Sequence, residues 1–372
     1  MKRGRSTETS RQAILQLCYS ALDSATLRRE LLRHLRAIIP FDYAYFSATD
    51  PATLLGTNAV IAEPPPAWLM PVYVENEFLQ ADFNKFTDML RDQQPTALLS
   101  QVTRNELEIS PRYRDMLLPL AMSDELRAIF VSDASCWGTL CLHRQQAQAG
   151  YTAEESGFLA QLAPHIADGL RRATLVGMAV STPTATPDGP GVLILSDDLS
   201  TIAATAAAGY WLAELTDMEG GDKHLLPLAV RSVTARLLAI ERGAMPTAMP
   251  TAMPKVRLHM RSGQWLVLYA SRLKGASDQP QISVIFEIAQ PAEIAPLIMQ
   301  AYQLTKREGE ITQSVLLGWS TSEISAALHI SANTVQDHLK AIFEKVDVSS
   351  RGELAARIFR QQYQPRFQAI SE

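Results

Sequence analysis

Cysteine is scarce in this chain of 372 residues: Cys18, Cys136 and Cys141 are the only three. A set so sparse and odd in number builds no disulfide framework. There is also no C-x-x-C pair, so a reducing compartment is expected. Long apolar runs are missing too. No stretch approaches the roughly eighteen residues that a membrane-spanning helix requires. The N-terminus, MKRGRSTETSRQ, lacks the apolar centre of a secretion signal. The expectation is a cytoplasmic protein with no membrane partner. Positive charge is not in excess, since the net charge is −5, and the bulk balance advertises no nucleic-acid partner. Phosphate loops of the form G-x-x-x-x-G-K-[ST], a G-x-G-x-x-G after a strand, H-E-x-x-H and metal-spaced Cys/His clusters are all absent. Ser271-Arg-Leu-Lys274 fits S-x-x-K, but it begins inside a strand and has no partner motif. These absences remove the common nucleotide, dinucleotide and zinc chemistries. The expectation is a non-enzyme with no catalytic residue and no metal, and no cofactor is indicated.

The chain is long enough for two or three domains. Residues 11–39 read as one or two amphipathic helices. Leu27, Leu31, Leu35 and Ile38 form the apolar stripe, Arg28, Arg29, Arg33 and Arg36 a solvated face, and Pro40 the stop. Residues 42–48 and 54–61 read as strands. A mixed helical and loop region rich in aromatics follows, from Trp68 to Arg114. Residues 126–131 and 137–143 read as a hairpin around Ser-Asp-Ala-Ser. Thr152 and Glu155 then open a helix with Phe158, Leu159, Leu162, Ile166 and Leu170 along one side. Residues 181–190, STPTATPDGP, have linker composition. Two strands, two helices and three further strands are expected over 191–290. The repeat MPTAMPTAMP at 245–254 reads as an expanded surface loop. Residues 291–303 are expected to form a helical connector.

The most strongly patterned stretch runs from Leu304 to Phe359. Thr305…Glu308, Ser320…Glu323 and Ser350…Glu353 each place a hydroxyl three residues before a Glu, the signature of a capping box. Ser331 can cap a further helix from Ala332. Four short capped helices are therefore expected, the second over about 321–328 and the third over about 332–345. Only His329, Ile330 and Ser331 separate the second and third, which forces a steep helix-turn-helix crossing.

The ordered residues Leu304-Thr305, Arg307-Glu308, Gly318, Ser320, Glu323-Ile324, Leu328, Ile330-Ser331, Thr334-Val335, His338-Leu339, Ile342, Lys345, Val348, Ser350-Arg351 and Glu353-Leu354 resemble the DNA-binding domain of the LuxR family of bacterial transcription regulators. That resemblance implies phosphate contacts from Ser320, Thr334, His338 and Lys345, and base contacts from Val335. It makes the fourth helix, 351–361, a dimerisation helix. Asn333, Gln336 and Lys340 complete the expected DNA-binding set. Three departures bear on mechanism. Gln336 stands where the family usually places a cation, and the acidic Asp337 follows it. Asp347 replaces the usual glycine at a left-handed helix end, a conformation Asp tolerates better than most residues. A modest hold on phosphate and a shallow salt dependence follow, while Gln336 can pair with adenine.

The N-terminal region resembles a GAF domain at Ile39-Pro40-Phe41-Asp42, Gly138–Leu142, Leu162-Ala-Pro-His165 and Leu170-Arg171. Residues 191–288 resemble a PAS domain at their opening Gly191–Asp198 and over Ala206–Tyr210. The expected fold is thus multidomain. Two α+β sensory domains (GAF-like, 1–180; PAS-like, 191–290) lead through the 291–303 connector to an all-α four-helix helix-turn-helix domain at 304–366. Tyr43, Tyr45, Trp68, Trp137 and Cys141 are candidates to line an effector pocket, or are simply core aromatics and a buried thiol. The expected function is a dimeric, sequence-specific DNA-binding transcription regulator. Its expected partners are double-stranded DNA, a second copy of itself, RNA polymerase and a small-molecule effector. The alternatives are a protein-interaction adaptor with a degenerate helix-turn-helix, and an enzyme with a small-molecule site within residues 1–290.

Overall fold

The computed structural model describes residues 2–63, 66, 68–180, 186–220, 225–243, 253–274 and 280–358. The first half of the expected linker, nearly all of the Met-Pro-Thr-Ala repeat and the chain beyond residue 358 lie outside them. In the first domain, α1 (Lys2–Cys18) and α2 (Ser24–Arg36) precede β1 (Tyr43–Asp50) and β2 (Leu55–Ile61). The aromatic-rich middle contributes α3 (Leu69–Phe78), α4 (Phe86–Arg91), β3 (Thr96–Leu98) and α5 (Leu99–Val102). The hairpin β4 (Met122–Ser132) and β5 (Ser135–Gln145) then leads into α6 (Ala153–Val180). The five strands order as β2-β1-β5-β4-β3, with every pairing antiparallel.

Strand alternation divides this sheet into two working faces. Ala44, Phe46, Leu140 and Leu142 join Leu31, Leu35, Leu162 and Ile166 in a core under α1, α2 and α6. Tyr43, Tyr45, Cys141 and His143 point the other way, toward α3 and the turn around Tyr113–Leu117, where they line a cavity of about 50 Å³. Arg28 departs from the reading of a solvated face, because it is fully buried. It falls three and seven residues before Leu31 and Leu35, and so shares their inward face.

The second domain repeats the same strand connectivity. It comprises β6 (Gly191–Ser196), β7 (Thr201–Ala204), α7 (Ala206–Met218), α8 (Leu228–Glu241), β8 (Lys255–His259), β9 (Trp265–Leu273) and β10 (Gln281–Ile288). The sheet order is β7-β6-β10-β9-β8, again antiparallel throughout. Val230, Val233, Leu237 and Leu238 of α8 pack in its core. That core also takes in Leu55 of β2, with Phe78 and Leu79 of the first domain packed against it. Arg236 on α8 donates to the Thr53 carbonyl at 3.1 Å. Because it is sandwiched between two domains, α8 is buried on nearly every side.

The connector forms α9 (Pro291–Ala301), which opens with a capping box between Gln290 and Glu293. Ile294, Leu297 and Ile298 pack on Trp265 and Val267 of the second domain. At its other end, Arg171 of α6 donates to the Ala301 carbonyl. Both domains therefore hold α9. The C-terminal module follows with α10 (Lys306–Leu316), α11 (Thr321–Leu328), α12 (Ala332–Val346) and a helical run over 351–358.

Candidate nucleic-acid interface

Each helix start of the C-terminal module is fixed by local chemistry. Thr305 Oγ1 accepts from Glu308 N at 3.3 Å, and Glu308 Oε2 accepts from Thr305 N at 2.7 Å. Ser320 and Glu323 make the same reciprocal pair at 3.3 and 2.7 Å. Ser331 Oγ accepts from Thr334 N at 3.0 Å and opens α12. The start at 351 differs from the expected box. Ser350 Oγ does accept from Glu353 N at 3.1 Å, but the Glu353 carboxylate turns to Ser349 N at 2.7 Å. Between α11 and α12, His329 adopts a left-handed conformation (φ 52°) that sets the sharp turn. Asp347 ends α12 in the same region (φ 56°), at the position where the sequence lacks its glycine.

The module core is Ile311, Val315, Ile324, Val335, Leu339, Ile342, Val346, Leu354 and Ile358. Val335 is 0% exposed, which corrects its assignment to base contacts. It begins the row 335, 339, 342, 346, the inward stripe of α12. The outward row holds Asn333, Gln336, Asp337, Lys340 and Glu344, all exposed. Thr334 and His338 are half-buried beside it. Lys340 is the single cation in that row, which also carries the acidic Asp337 and Glu344. Ser320 stands exposed at the N-terminus of α11, its hydroxyl donating to Glu323 Oε2 at 2.7 Å.

Lys345 does not belong to the outward row. Its Nζ donates to Glu308 Oε2 at 2.7 Å and to the Gln303 carbonyl at 3.0 Å, so it fastens α12 to the start of α10 and to the connector. Burial opposes the charge on Glu308, but the Lys345 ammonium and the Thr305 donors hold its carboxyl below the usual value. Two arginines complete the frame. Arg307 donates to the Leu328 carbonyl at 2.8 Å. Arg351 donates to the Trp319 carbonyl and to Thr321 Oγ1, each at 2.8 Å. Neither tie was foreseen, because each links residues more than twenty positions apart.

The five candidate pocket residues divide three ways. Tyr43, Tyr45 and Cys141 line the first-domain cavity together. Burial pushes the Cys141 thiol and the Tyr45 phenol each up to about 12, so neither ionises near neutrality. Trp68 is 45% exposed and lies outside the cavity lining. Trp137 points to the opposite face, because it is the extra residue of a bulge. Phe130 pairs with Gly138 and Val131 with Cys136, which leaves Trp137 between them and inverts the alternation.

Among the described residues no helix is long and apolar enough to cross a membrane. Residues 302–358 match the family described as bacterial regulatory proteins, luxR family. Over 54 residues the chain is 41% identical to an uncharacterized transcriptional regulatory protein, YhcZ of Bacillus subtilis, spanning 14% of this chain and 25% of that protein. Over 56 residues it is 41% identical to the transcriptional regulatory protein UhpA of Escherichia coli, spanning 15% and 29%. The chain thus covers about a quarter of the length of these relatives. A GAF domain/HD domain protein from Geobacter sulfurreducens overlays 42% of this chain and 96% of its own, with a TM-score of 0.32 and 18% identity. What the chain shares with the bacterial regulators lies in its C-terminal segment, and residues 302–358 form a LuxR-family helix-turn-helix domain.

Proposed function

We propose that the chain is a dimeric, sequence-specific DNA-binding transcription regulator in the cytoplasm, and that its two N-terminal domains set when it binds. The outward row of α12 carries this reading. Asn333, Gln336 and Lys340 stand exposed on a helix whose turn, caps and inward stripe leave it little freedom. In a helix-turn-helix, such a row enters the major groove. Ser320, Thr334 and His338 flank it as phosphate contacts. The helical run from 351 serves as the dimer contact, with Gly352, Glu353 and Ala356 exposed along it. The shared strand order of the two sheets supports reading the first domain as GAF-like and the second as PAS-like. The cavity beside Tyr43, Tyr45 and Cys141 is the effector pocket of the first.

The test is a selection from random duplex DNA at low salt. The expected product is a two-fold symmetric site with half-sites about 10 bp apart, or a multiple of that spacing. No enriched sequence would favour an adaptor that uses the same surface for protein contacts. Asp337 and Glu344 in the outward row motivate that second reading, together with Leu317, 72% exposed, and its exposed neighbour Trp319.

A further inference from the structure

We infer that the cleft between the first two domains binds a small organic anion with a flat aromatic body. The cleft encloses about 600 Å³, a volume suited to such a ligand, and lies at a domain interface, where ligand sites concentrate. It is separate from the effector pocket, which lies on the opposite face of the first sheet. Its walls come from α2, the β1–β2 hairpin and α6 on one side, and from the β8–β9 hairpin on the other. Leu297 of α9 closes it beside the connector.

The charge in this cleft is unbalanced. Arg28 lines it, is fully buried, and makes no ion pair among the described residues. Its donors go to neutral acceptors: the Ser24 carbonyl at 3.0 Å, the Phe46 carbonyl at 2.8 Å, the Asn58 carbonyl at 3.0 Å and the Asn58 side-chain oxygen. Burial lowers its pKa to about 10, against the opposing pull of the Glu219 and Asp23 carboxyls, so it remains a cation at neutral pH. Neither carboxyl forms an ion pair with it, so its compensation is only longer-range, and a bound anion would reduce the cost of its burial. Arg29 and Arg261, exposed at the mouth, also make no ion pair among the described residues. Arg257 is already neutralised by Asp50, with contacts of 2.6 and 3.0 Å. Asp23 is the remaining carboxylate of the lining, and it caps α2 by accepting from Ala25 N and Thr26 N.

The indoles supply the second observation. Trp137 and Trp265 both line the cleft, 4% and 6% exposed, and the Nε1–H of each has no hydrogen-bond partner. Three arginines that make no ion pair among the described residues, with two indoles in the same lining, suit an acceptor-rich group such as a carboxylate, sulfonate or phosphate. The two indoles, with Leu170, Met218, Leu258 and Leu297, form the apolar part of the lining, suited to the ring that carries it.

The test uses the full chain and two naphthalene probes, the anionic 8-anilino-1-naphthalenesulfonate and the uncharged N-phenyl-1-naphthylamine. Probe fluorescence and tryptophan quenching are read together, and far-UV circular dichroism verifies folding. One sulfonate probe is expected to bind per chain. The double variant Arg29→Glu/Arg261→Glu should weaken it at least tenfold and leave the uncharged probe within twofold. Gly177→Phe should weaken both probes at least tenfold, because Gly177 lines the cleft and a Cβ there meets nothing nearer than His259 Nδ1, at 3.8 Å. Absence of sulfonate binding by the wild type, or sulfonate affinity unchanged in both variants, overturns the site. Equal loss of both probes in the charge variant overturns its anion preference. None of these readouts involves DNA, so the site can stand or fall apart from the regulatory reading.

Discussion

At the scale of single residues, burial decides which side chains can act. Val335 and Gln336 are neighbours, yet the first is sealed in the core and the second is exposed. A base-reading role for Val335 was read from family position, and helical periodicity was the better guide. Gln336 stands in the outward row with Asp337, so under the proposed function α12 would meet phosphate with one acidic group and no adjacent cation. Replacing Gln336 by Lys should restore one phosphate contact. On a selected site, the slope of log affinity against log salt should then steepen by about 0.9. Fluorescence anisotropy across a salt series measures this, and an unchanged slope would mean that position 336 does not approach the duplex.

At the scale of elements, α12 is held by its cap and also by the tie from Lys345 to Glu308 and Gln303. Glu308 is nearly fully buried, so removing its partner strands a carboxylate. Lys345→Met should therefore cost about 1–2 kcal/mol at pH 7, at the lower end for a charged pair because the lysine is partly exposed. The sign with pH follows from the depressed Glu308 carboxyl. Its contribution is complete above the ordinary value of 4.5 and is lost as pH falls through the folded value. Urea unfolding at pH 7 and again near pH 3 should show the difference between wild type and variant shrinking on acidification. A constant difference would assign the lysine's effect to packing. Most elements were legible in the sequence. Alternation marked β1, β2 and the β4–β5 hairpin, and Ser/Thr–Glu spacing marked α6, α10 and α11. The rest depends on distant partners. The bulge at Trp137 is set by its register against β4, and the sides of α8 are closed by another domain. Arg28 carried a readable signal, its spacing to Leu31 and Leu35, which its charge obscured.

At the scale of the whole molecule, the two α+β domains are joined by buried polar contacts as well as by α8. Asp50, at the end of β1, accepts from the backbone N–H of Arg257 at 2.9 Å and from its guanidinium at 2.6 and 3.0 Å. Arg257 also donates to the Glu293 carbonyl at 2.8 Å, so one arginine links the first domain, the second sheet and the connector helix. From there α9 runs to Gln303, whose carbonyl receives Lys345 of α12. Packed and hydrogen-bonded groups thus run from the domain interface to α12. Removing one partner of such a pair leaves the other buried and unpaired, at a cost of about 3–5 kcal/mol. Asp50→Ala should loosen the docking first, because each domain retains its own sheet and core. The wild type should unfold as one calorimetric unit over its first two domains, and the variant in two separated transitions. The double variant Asp50→Leu/Arg257→Leu, which strands no charge, should bring the transitions back together. A single transition at an unchanged temperature in Asp50→Ala would show that the ion pair does not hold the domains together, leaving the docking to the packing of α8 against β2 and α3.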